Sequence, residues 1–440
     1  MWSAFAATGC APLVAPGSGD LSVASSHSPP APVIERAAAA DGARLALQRH
    51  AASGEPVLLI HGLAFNASSW DLPARQGPDY SYLSLASLLR DAGYDVWLVN
   101  LRGHGNGDDR SRPPPGQMDW TVDHFALYDV PAAVEHVVAA TGRRPFVIAS
   151  SLGAMALAAW LEGATRVGDG ASAAPRVAGA PAASASTMIR IVADAALAAE
   201  RQALLSGAVW VAFPAALRWP ESPIDEAGRV VWAELFAGLL AGPDDANVLF
   251  ESAAYSPGLQ GALEVYGSLP LRLLRPSDAT EAWKAQLPAP IAALMETISK
   301  RLFARGVGAV SIFNGDSPSR LDVVHANRRL VLEDVEAGVL RQIARSIRAR
   351  AFVSELGSPA CVYSDHYANI ALPSLVILGD ADRNAHAAVA RAAFFDMIAS
   401  TDKSIRVFEG IAHAEFEMSP IATERVYPAI LRWLAERAGR

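Results

Sequence analysis

Short apolar runs alternate along much of the chain with stretches in which apolar residues recur at the period of a helix. Apolar runs without polar alternation are typical of strands buried on both faces of a sheet. Their alternation with helical stretches predicts a mostly parallel sheet with helices on both faces. Strands are predicted at 41–50, 56–62, 95–105, 144–150, 373–382 and 404–410, and helices at 82–94, 122–142, 152–163, 385–399 and 424–438.

The alternation stops after a strand predicted at 174–182 and resumes near residue 373. The residues between are predicted to be mainly helical. We therefore predict one α/β domain formed by 41–183 and 373–440, with a large, mainly helical cap inserted at 184–372. Aromatic residues of the cap are expected mostly in its core, with some lining a substrate pocket; they are Trp210, Phe213, Trp219, Trp232, Phe236, Tyr255, Tyr266 and Trp283.

The composition excludes several classes of protein. Hydrophobic residues make up 51% of the chain and charged residues 19%, which excludes an intrinsically disordered chain. A net charge of −8, without a basic stripe, argues against nucleic acid as a partner. The longest apolar stretch, 203–217, contains a proline and is too short to span a membrane.

The N-terminal residues 1–40 have a low-complexity Ser/Pro/Gly/Ala composition and are predicted to form a tether. Cys10, in Ala-Thr-Gly-Cys, resembles the lipid-attachment box of bacterial lipoproteins. Two interpretations stay open: a cell-envelope lipoprotein with a truncated signal, bound to a membrane through lipidated Cys10, or a cytoplasmic protein with an accidental likeness. Neither Cys10 nor Cys361 lies in a Cys/His cluster, so no metal site is predicted.

The stretch from Phe146 to Leu157 carries two serines where a predicted strand turns into a helix. A nucleophile on such a sharp turn needs small residues two positions before and after it, because strand and helix approach closely there. Ala149 and Gly153 meet this need for Ser151, whereas the neighbours of Ser150 are larger. Ser172 also has small neighbours but no apolar strand before it. Ser151 is therefore the predicted nucleophile.

A serine hydroxyl needs a base to accept its proton, and the base needs a carboxylate to orient it. His413 follows the last predicted strand and is the candidate base. Asp382 and Asp380 both follow the strand before it, and Asp382 is preferred because it lies further out on the loop. The backbone N–H groups of Leu63 and Leu152 are the candidate oxyanion donors.

These motifs resemble the α/β-hydrolase superfamily over residues 43–182 and 373–434. The stretch 58–70 is similar to its oxyanion loop and 149–154 to its nucleophile turn. The segments 93–105, 128–142 and 413–416 are similar to the acid-lipase branch and to polyhydroxyalkanoate synthases, whose nucleophile is a cysteine. Ser151 at that position disfavours synthase chemistry.

The resemblance implies a serine hydrolase that cleaves carboxylic esters, with an apolar acyl group and no cofactor. Other reactions of the same triad stay open: acyl transfer, or cleavage of a thioester, an amide or a carbon–carbon bond. A non-catalytic envelope binding protein is the remaining alternative. Loss of a triad residue would favour it, and Ser151, Asp382 and His413 are all present.

Overall fold

In a computed structural model of the protein, the structure is described for residues 31–72, 81–168, 189–217, 335–382 and 384–439, together with 287–291, 293, 323, 327 and 330–333. The strands are β1 (Val33–Ala38), β2 (Arg44–His50), β3 (Pro56–Ile60), β4 (Asp95–Asn100), β5 (Phe146–Ser150), β6 (Ala164–Gly168), β7 (Ile189–Ala193), β8 (Gly207–Val211), β9 (Ser374–Gly379) and β10 (Lys403–Phe408).

Eight of these strands form one sheet, in the order β1-β2-β4-β3-β5-β8-β9-β10. The pairs from β4 to β10 are parallel, and β1 and β2 are added at one edge in antiparallel orientation. The mostly parallel sheet predicted from the apolar runs is confirmed. Since parallel strands share one carboxyl edge, the loops after β3, β5, β9 and β10 meet there.

Helices cover both faces of the sheet. Alternate residues of each strand belong to two different apolar clusters: Ile60, Val147 and Trp210 pack into one, and Leu59, Ile148 and Val209 into the other. The α-helices are α1 (Leu85–Asp91), α2 (Val122–His124), α3 (Val130–Thr141), α4 (Ser151–Leu161), α5 (Ala195–Gln202), α6 (Ala337–Ala349), α7 (Ala387–Ala390), α8 (Glu415–Met418) and α9 (Tyr427–Arg437).

The helix predicted at 122–142 is interrupted. Residues Phe125–Asp129 form a π-helical stretch between α2 and α3, and Pro131 lies in the first turn of α3. Proline has no N–H to donate to the preceding turn, so it fits best where a helix begins.

Two elements differ from the predicted domain boundaries. β1 lies inside the segment predicted as a tether, and it pairs along its length with β2. Of its six residues only Ala37 is buried, which explains why its sequence lacks a buried-strand pattern. β8 lies inside the segment predicted as a helical cap, yet it is fully buried between β5 and β9. The sheet therefore begins before residue 41 and continues beyond residue 183.

Several predicted features lie outside the described residues: the strand at 174–182, Cys10, and most of the cap at 184–372. The cap therefore stays a prediction. In the portion of the chain that is described, no helix has the length and apolar character needed to cross a membrane.

Candidate active site

Ser151 stands at the sharp turn between β5 and α4. Its backbone is in the left-handed region, at φ +47°. A non-glycine residue there costs on the order of 1–3 kcal/mol, and such strain is concentrated at functional sites. The conformation places Ser151 at the carboxyl edge of the sheet, at the first residue of α4.

Close packing around the turn explains the small residues in the sequence. A Cβ atom on Gly153 would lie 2.5 Å from the carbonyl oxygen of His61, a contact that backbone atoms cannot relieve. A Cβ atom on Gly62 would lie 3.2 Å from the Cβ of Ser151. The loop after β3 therefore runs directly against the serine.

His413 lies between the serine and an acid. Its Nε2 atom is 2.7 Å from Ser151 Oγ, and its Nδ1 atom is 2.9 Å from Oδ2 and 3.0 Å from Oδ1 of Asp382. Burial alone would lower the pKa of His413, but the charge and hydrogen bond of Asp382 raise it above the ordinary 6.5. His413 is thus within hydrogen-bonding distance of both other predicted residues, Ser151 and Asp382.

The two acids considered for this position have different surroundings. Asp382 is 1% exposed, and its Oδ1 accepts hydrogen bonds of 2.8 Å from the N–H groups of Asn384 and Ala385. Asp380 is exposed, and its carboxylate accepts the Gly410 N–H at 2.7 Å. Asp382 holds the histidine, whereas Asp380 holds the loop after β10.

The two candidate oxyanion donors lie on either side of Ser151. Leu152 is the second residue of α4, and Leu63 follows Gly62 on the loop that packs against the serine. Among the described residues, no hydrogen bond is donated by the N–H of Leu63 or of Leu152. Both groups therefore stay candidates for binding a developing oxyanion.

His61 connects the loops after β3 and β4 through hydrogen bonds. Its Nε2 atom accepts the Leu101 N–H at 3.1 Å, so its Nδ1 atom carries the proton and donates to the Gly62 carbonyl at 2.9 Å. Burial and the neighbouring His104 lower the pKa of His61 to about 3. Because its imidazole is neutral and both ring nitrogens are hydrogen-bonded, His61 has a structural role and no role in proton transfer.

Sequence reasoning missed a buried carboxylate beside the triad. Glu417, in α8, is 2% exposed, and its carboxylate accepts a hydrogen bond from the Ser69 hydroxyl. The available signal was the pair of acidic residues, Glu415 and Glu417, that alternate with apolar residues after His413. Such residues are rarely buried without a partner.

A contact between the oxyanion loop and residues 330–333 was also missed. Phe65 forms an antiparallel bridge with Leu332. The carboxylate of Glu333 accepts the side-chain amide of Asn66 at 2.7 Å and the N–H of Gly105 at 3.0 Å. Part of the predicted cap therefore holds the loops after β3 and β4. No local sequence pattern indicates a contact over this separation.

Other candidates from the sequence have structural surroundings. Trp210 and Phe213 are fully buried in the core and stack on each other at 5.7 Å between ring centroids. Cys361 is a buried free thiol, and burial raises its pKa to about 12. Within the described ranges, no three His, Cys, Asp or Glu side chains are grouped as a metal site.

Comparison with known proteins identifies the fold. Residues 55–181 match the family model of the alpha/beta hydrolase fold. The chain is 34% identical over 105 residues to triacylglycerol lipase 2 of Arabidopsis thaliana, covering 23% of each chain. It is 37% identical over 93 residues to human gastric triacylglycerol lipase, covering 20% of this chain and 21% of that one. The chain spans about a fifth to a quarter of the length of these relatives.

Solved structures include similar chains at low identity. A thermophilic esterase from Thermogutta terrifontis has a TM-score of 0.47 and 16% identity, with 92% of this chain and 99% of that chain covered. The family match and the observed sheet together confirm the fold class predicted from the sequence. The acid-lipase branch stays a prediction.

Proposed function

We propose, from the premise that this chain is an α/β hydrolase, that it cleaves carboxylic esters with Ser151 as its nucleophile. One observation carries the proposal: the imidazole of His413 lies 2.7 Å from the Ser151 hydroxyl and 2.9 Å from the Asp382 carboxylate. That geometry is suited to activating a hydroxyl at neutral pH, because the base is both within reach and oriented.

In the first half of the reaction, Ser151 Oγ attacks the ester carbonyl carbon while His413 Nε2 accepts its proton. Asp382 keeps the proton of the free imidazole on Nδ1 and stabilises the imidazolium that forms. The negative charge on the former carbonyl oxygen is accepted by the N–H groups of Leu63 and Leu152. His413 then donates its proton to the leaving alcohol oxygen, and the acyl group stays on Ser151.

In the second half, a water molecule replaces the alcohol. His413 accepts a proton from the water, the hydroxide attacks the acyl carbon, and the same N–H groups bind the second oxyanion. Collapse of this intermediate returns the proton to Ser151 Oγ and releases the carboxylic acid. In comparable sites, each backbone donor lowers the activation free energy by about 3–4 kcal/mol.

An apolar acyl group is the proposed substrate preference. It is supported by the matched relatives, which are named as triacylglycerol lipases, and by the aromatic composition of residues 219–283. The lipase matches cover only about a fifth to a quarter of each polypeptide chain. The preferred length of the acyl group must therefore be measured.

The test is turnover of nitrophenyl esters of short and long acyl chains by the wild-type protein and by Ser151→Ala. We expect Ser151→Ala to lose at least about 10³-fold in kcat. Ser150→Ala removes a hydroxyl one residue away and is the matched control, with a much smaller loss. Equal turnover by Ser151→Ala and the wild-type protein would refute the assignment.

The same panel distinguishes the other reactions of the triad. Thioester and amide analogues of the best ester, and added alcohols as acyl acceptors, report thioesterase, amidase and acyltransferase activity. A fluorophosphonate probe that labels the wild-type protein but not Ser151→Ala identifies the nucleophile independently of substrate. A chain that neither labels nor turns over any ester would instead favour a binding protein.

A further inference from the structure

The candidate oxyanion donor Leu63 lies in a tight turn with a strained backbone. The Phe65 N–H donates to the Gly62 carbonyl at 3.4 Å, so Leu63 and Ala64 are the two central residues of a four-residue turn. Ala64, the second of them, has a φ of +60°. Turns with a positive φ at this position favour glycine, because a Cβ atom is strained there. The sequence of the turn alone therefore disfavours the observed conformation.

The segment 330–333 is hydrogen-bonded to this turn through its backbone. Phe65 and Leu332 form an antiparallel bridge. Beside the bridge, the Glu333 N–H donates to the Ala64 carbonyl at 2.8 Å. This bond is accepted by the strained residue itself. The segment 330–333 therefore limits rotation of the backbone at Ala64.

The residue after the turn adds further hydrogen bonds to the same segment. The side-chain amide of Asn66 donates to the Leu330 carbonyl and to the Glu333 carboxylate, both at 2.7 Å. The Asn66 N–H donates to the Val331 carbonyl at 3.2 Å. The side-chain oxygen of Asn66 accepts the Ser68 N–H at 2.9 Å. Asn66 therefore connects the segment 330–333 to the rest of the oxyanion loop.

Apolar packing also holds the segment 330–333 at the active site. Val331 and Leu332 are buried in one cluster with Phe65 of the oxyanion loop and with Ala414. Ala414 directly follows the base His413. This cluster is separate from the two that cover the faces of the sheet. The segment thus packs against the loop of the oxyanion donor and against the loop of the base.

We propose that the segment 330–333 completes the oxyanion hole by holding the turn Gly62–Phe65 in the strained conformation that presents the Leu63 N–H. With a negative φ at Ala64, the peptide group between Leu63 and Ala64 would be turned over, as it is between the two commonest turn types. Such a change beside the Leu63 N–H would displace this donor, and a displacement of about 1 Å can cost about 100-fold in rate.

This inference rests on the proposed function, because it assumes that the Leu63 N–H binds the oxyanion. The residues of the segment 330–333 act through the turn and are positioning residues. Their effect should therefore be largest on the stability of the transition state and small on the binding of the substrate.

A double-mutant cycle with glycine tests the role of the strained turn. Glycine adopts a positive φ without strain, so Ala64→Gly should make the turn less dependent on the segment 330–333. We expect Glu333→Ala to lower kcat about tenfold in the wild-type protein, and only about twofold when Ala64→Gly is also present.

Ala212→Gly is the matched control for this cycle. Ala212 directly follows β8 and also has a positive φ, of +48°. The same substitution there relieves the same kind of strain at the carboxyl edge, but outside the oxyanion loop. It should leave the tenfold loss caused by Glu333→Ala unchanged.

Leu332→Ala weakens the same segment in a different way. It removes apolar contacts and keeps the hydrogen-bonding groups of Glu333. Its loss of kcat should also be reduced by Ala64→Gly. This second variant makes the test decisive if Glu333→Ala does not fold.

A trifluoromethyl ketone inhibitor distinguishes a displaced donor from a general loss of structure. Ser151 Oγ adds to its carbonyl carbon, the serine proton passes to His413, and the carbonyl oxygen becomes an oxyanion. In Glu333→Ala and Leu332→Ala, the inhibition constant should rise by the same factor by which kcat falls, while KM changes less than about threefold.

The outcomes are distinct. Reduced losses in the presence of Ala64→Gly but not of Ala212→Gly, together with weaker inhibition, support the proposal. It is overturned by unchanged kcat in both variants of the segment 330–333, by equal losses with and without Ala64→Gly, or by an unchanged inhibition constant. Failure of the proposed function is recognised separately, because the wild-type protein and Ser151→Ala would then have equal turnover.

Discussion

At the scale of single residues, the site depends on how the histidine is held. His413 has one partner on each ring nitrogen, and Asp382 is itself fixed by two backbone N–H groups. These two hydrogen bonds limit the rotation of the carboxylate. The imidazole therefore has one tautomer available for accepting the proton of Ser151.

Asp382→Asn is expected to lower kcat on the order of 10³- to 10⁴-fold, because an amide can donate to Nδ1 and stabilise the wrong tautomer. Asp380→Asn is the control, since Asp380 contacts Gly410 and not the histidine. The measurement is steady-state kinetics on the best nitrophenyl ester. Similar losses in the two variants would contradict the choice of Asp382.

The pH profile follows from the raised pKa of His413. Because only the neutral imidazole accepts a proton, kcat/KM should fall as the pH decreases through a value above the ordinary 6.5. By linkage, the same shift stabilises the folded protein below pH 6.5, and this contribution is lost as the pH rises through the raised pKa. An acid limb below 6.5 would be inconsistent with the Asp382 contact.

At the scale of elements, loops from distant parts of the chain hold one another at the carboxyl edge. Residues 330–333 pair with the oxyanion loop through the Phe65–Leu332 bridge and through the bond from the Glu333 N–H to the Ala64 carbonyl at 2.8 Å. Ala64 follows Leu63 directly and has a φ of +60°. The position of the Leu63 N–H therefore depends on a contact made by residues 330–333.

Glu333→Ala is expected to reduce kcat about tenfold, because a small displacement of the oxyanion loop weakens transition-state binding. Glu333→Gln keeps an acceptor oxygen for Asn66 and Gly105 and should retain most of the activity. The measurements are kcat, KM and the rate of fluorophosphonate labelling. An equal loss of kcat in Glu333→Gln and Glu333→Ala would show that the hydrogen bonds accepted by Glu333 do not position the loop.

At the scale of the whole molecule, a buried ion-pair network connects parts of the fold that carry no catalytic residue. Arg102, after β4, pairs with Asp129 of the π-helical stretch at 2.7 Å and with Asp41 before β2 at 2.6 Å. Arg102 and Asp129 are fully buried. Burial raises the pKa of Asp129, and the guanidinium opposes this shift.

Arg102→Ala is expected to lower the free energy of unfolding by about 3–5 kcal/mol, because it leaves the Asp129 charge without its partner. The double variant Arg102→Met/Asp129→Leu should lower the free energy of unfolding by less, because neither fully buried charge of this pair is left. Urea unfolding at neutral and acidic pH measures both effects, and the loss in Arg102→Ala should shrink where Asp129 is protonated. A double variant less stable than Arg102→Ala would contradict this interpretation.

The sequence by itself determined the strands that are buried on both faces and the residues at their carboxyl ends. The uninterrupted apolar runs at β3, β4, β5 and β9 are typical of strands in a parallel sheet that is covered by helices on both faces. A parallel sheet brings the ends of those runs to one edge, so Ser151, Asp382 and His413 could be chosen from position alone. Local sterics then distinguished Ser151 from Ser150.

Only the tertiary structure defines the strands and the side-chain contacts for which the local sequence carries no signal. β1 is an exposed edge strand, and β8 lies in a segment whose surroundings read as helical, so only pairing with β2, β5 and β9 defines them. The carboxylates of Glu417 and Glu333 reach partners far away along the chain. A side chain's periodicity reports which face is buried, but not which distant group it meets, because that depends on how the whole chain packs.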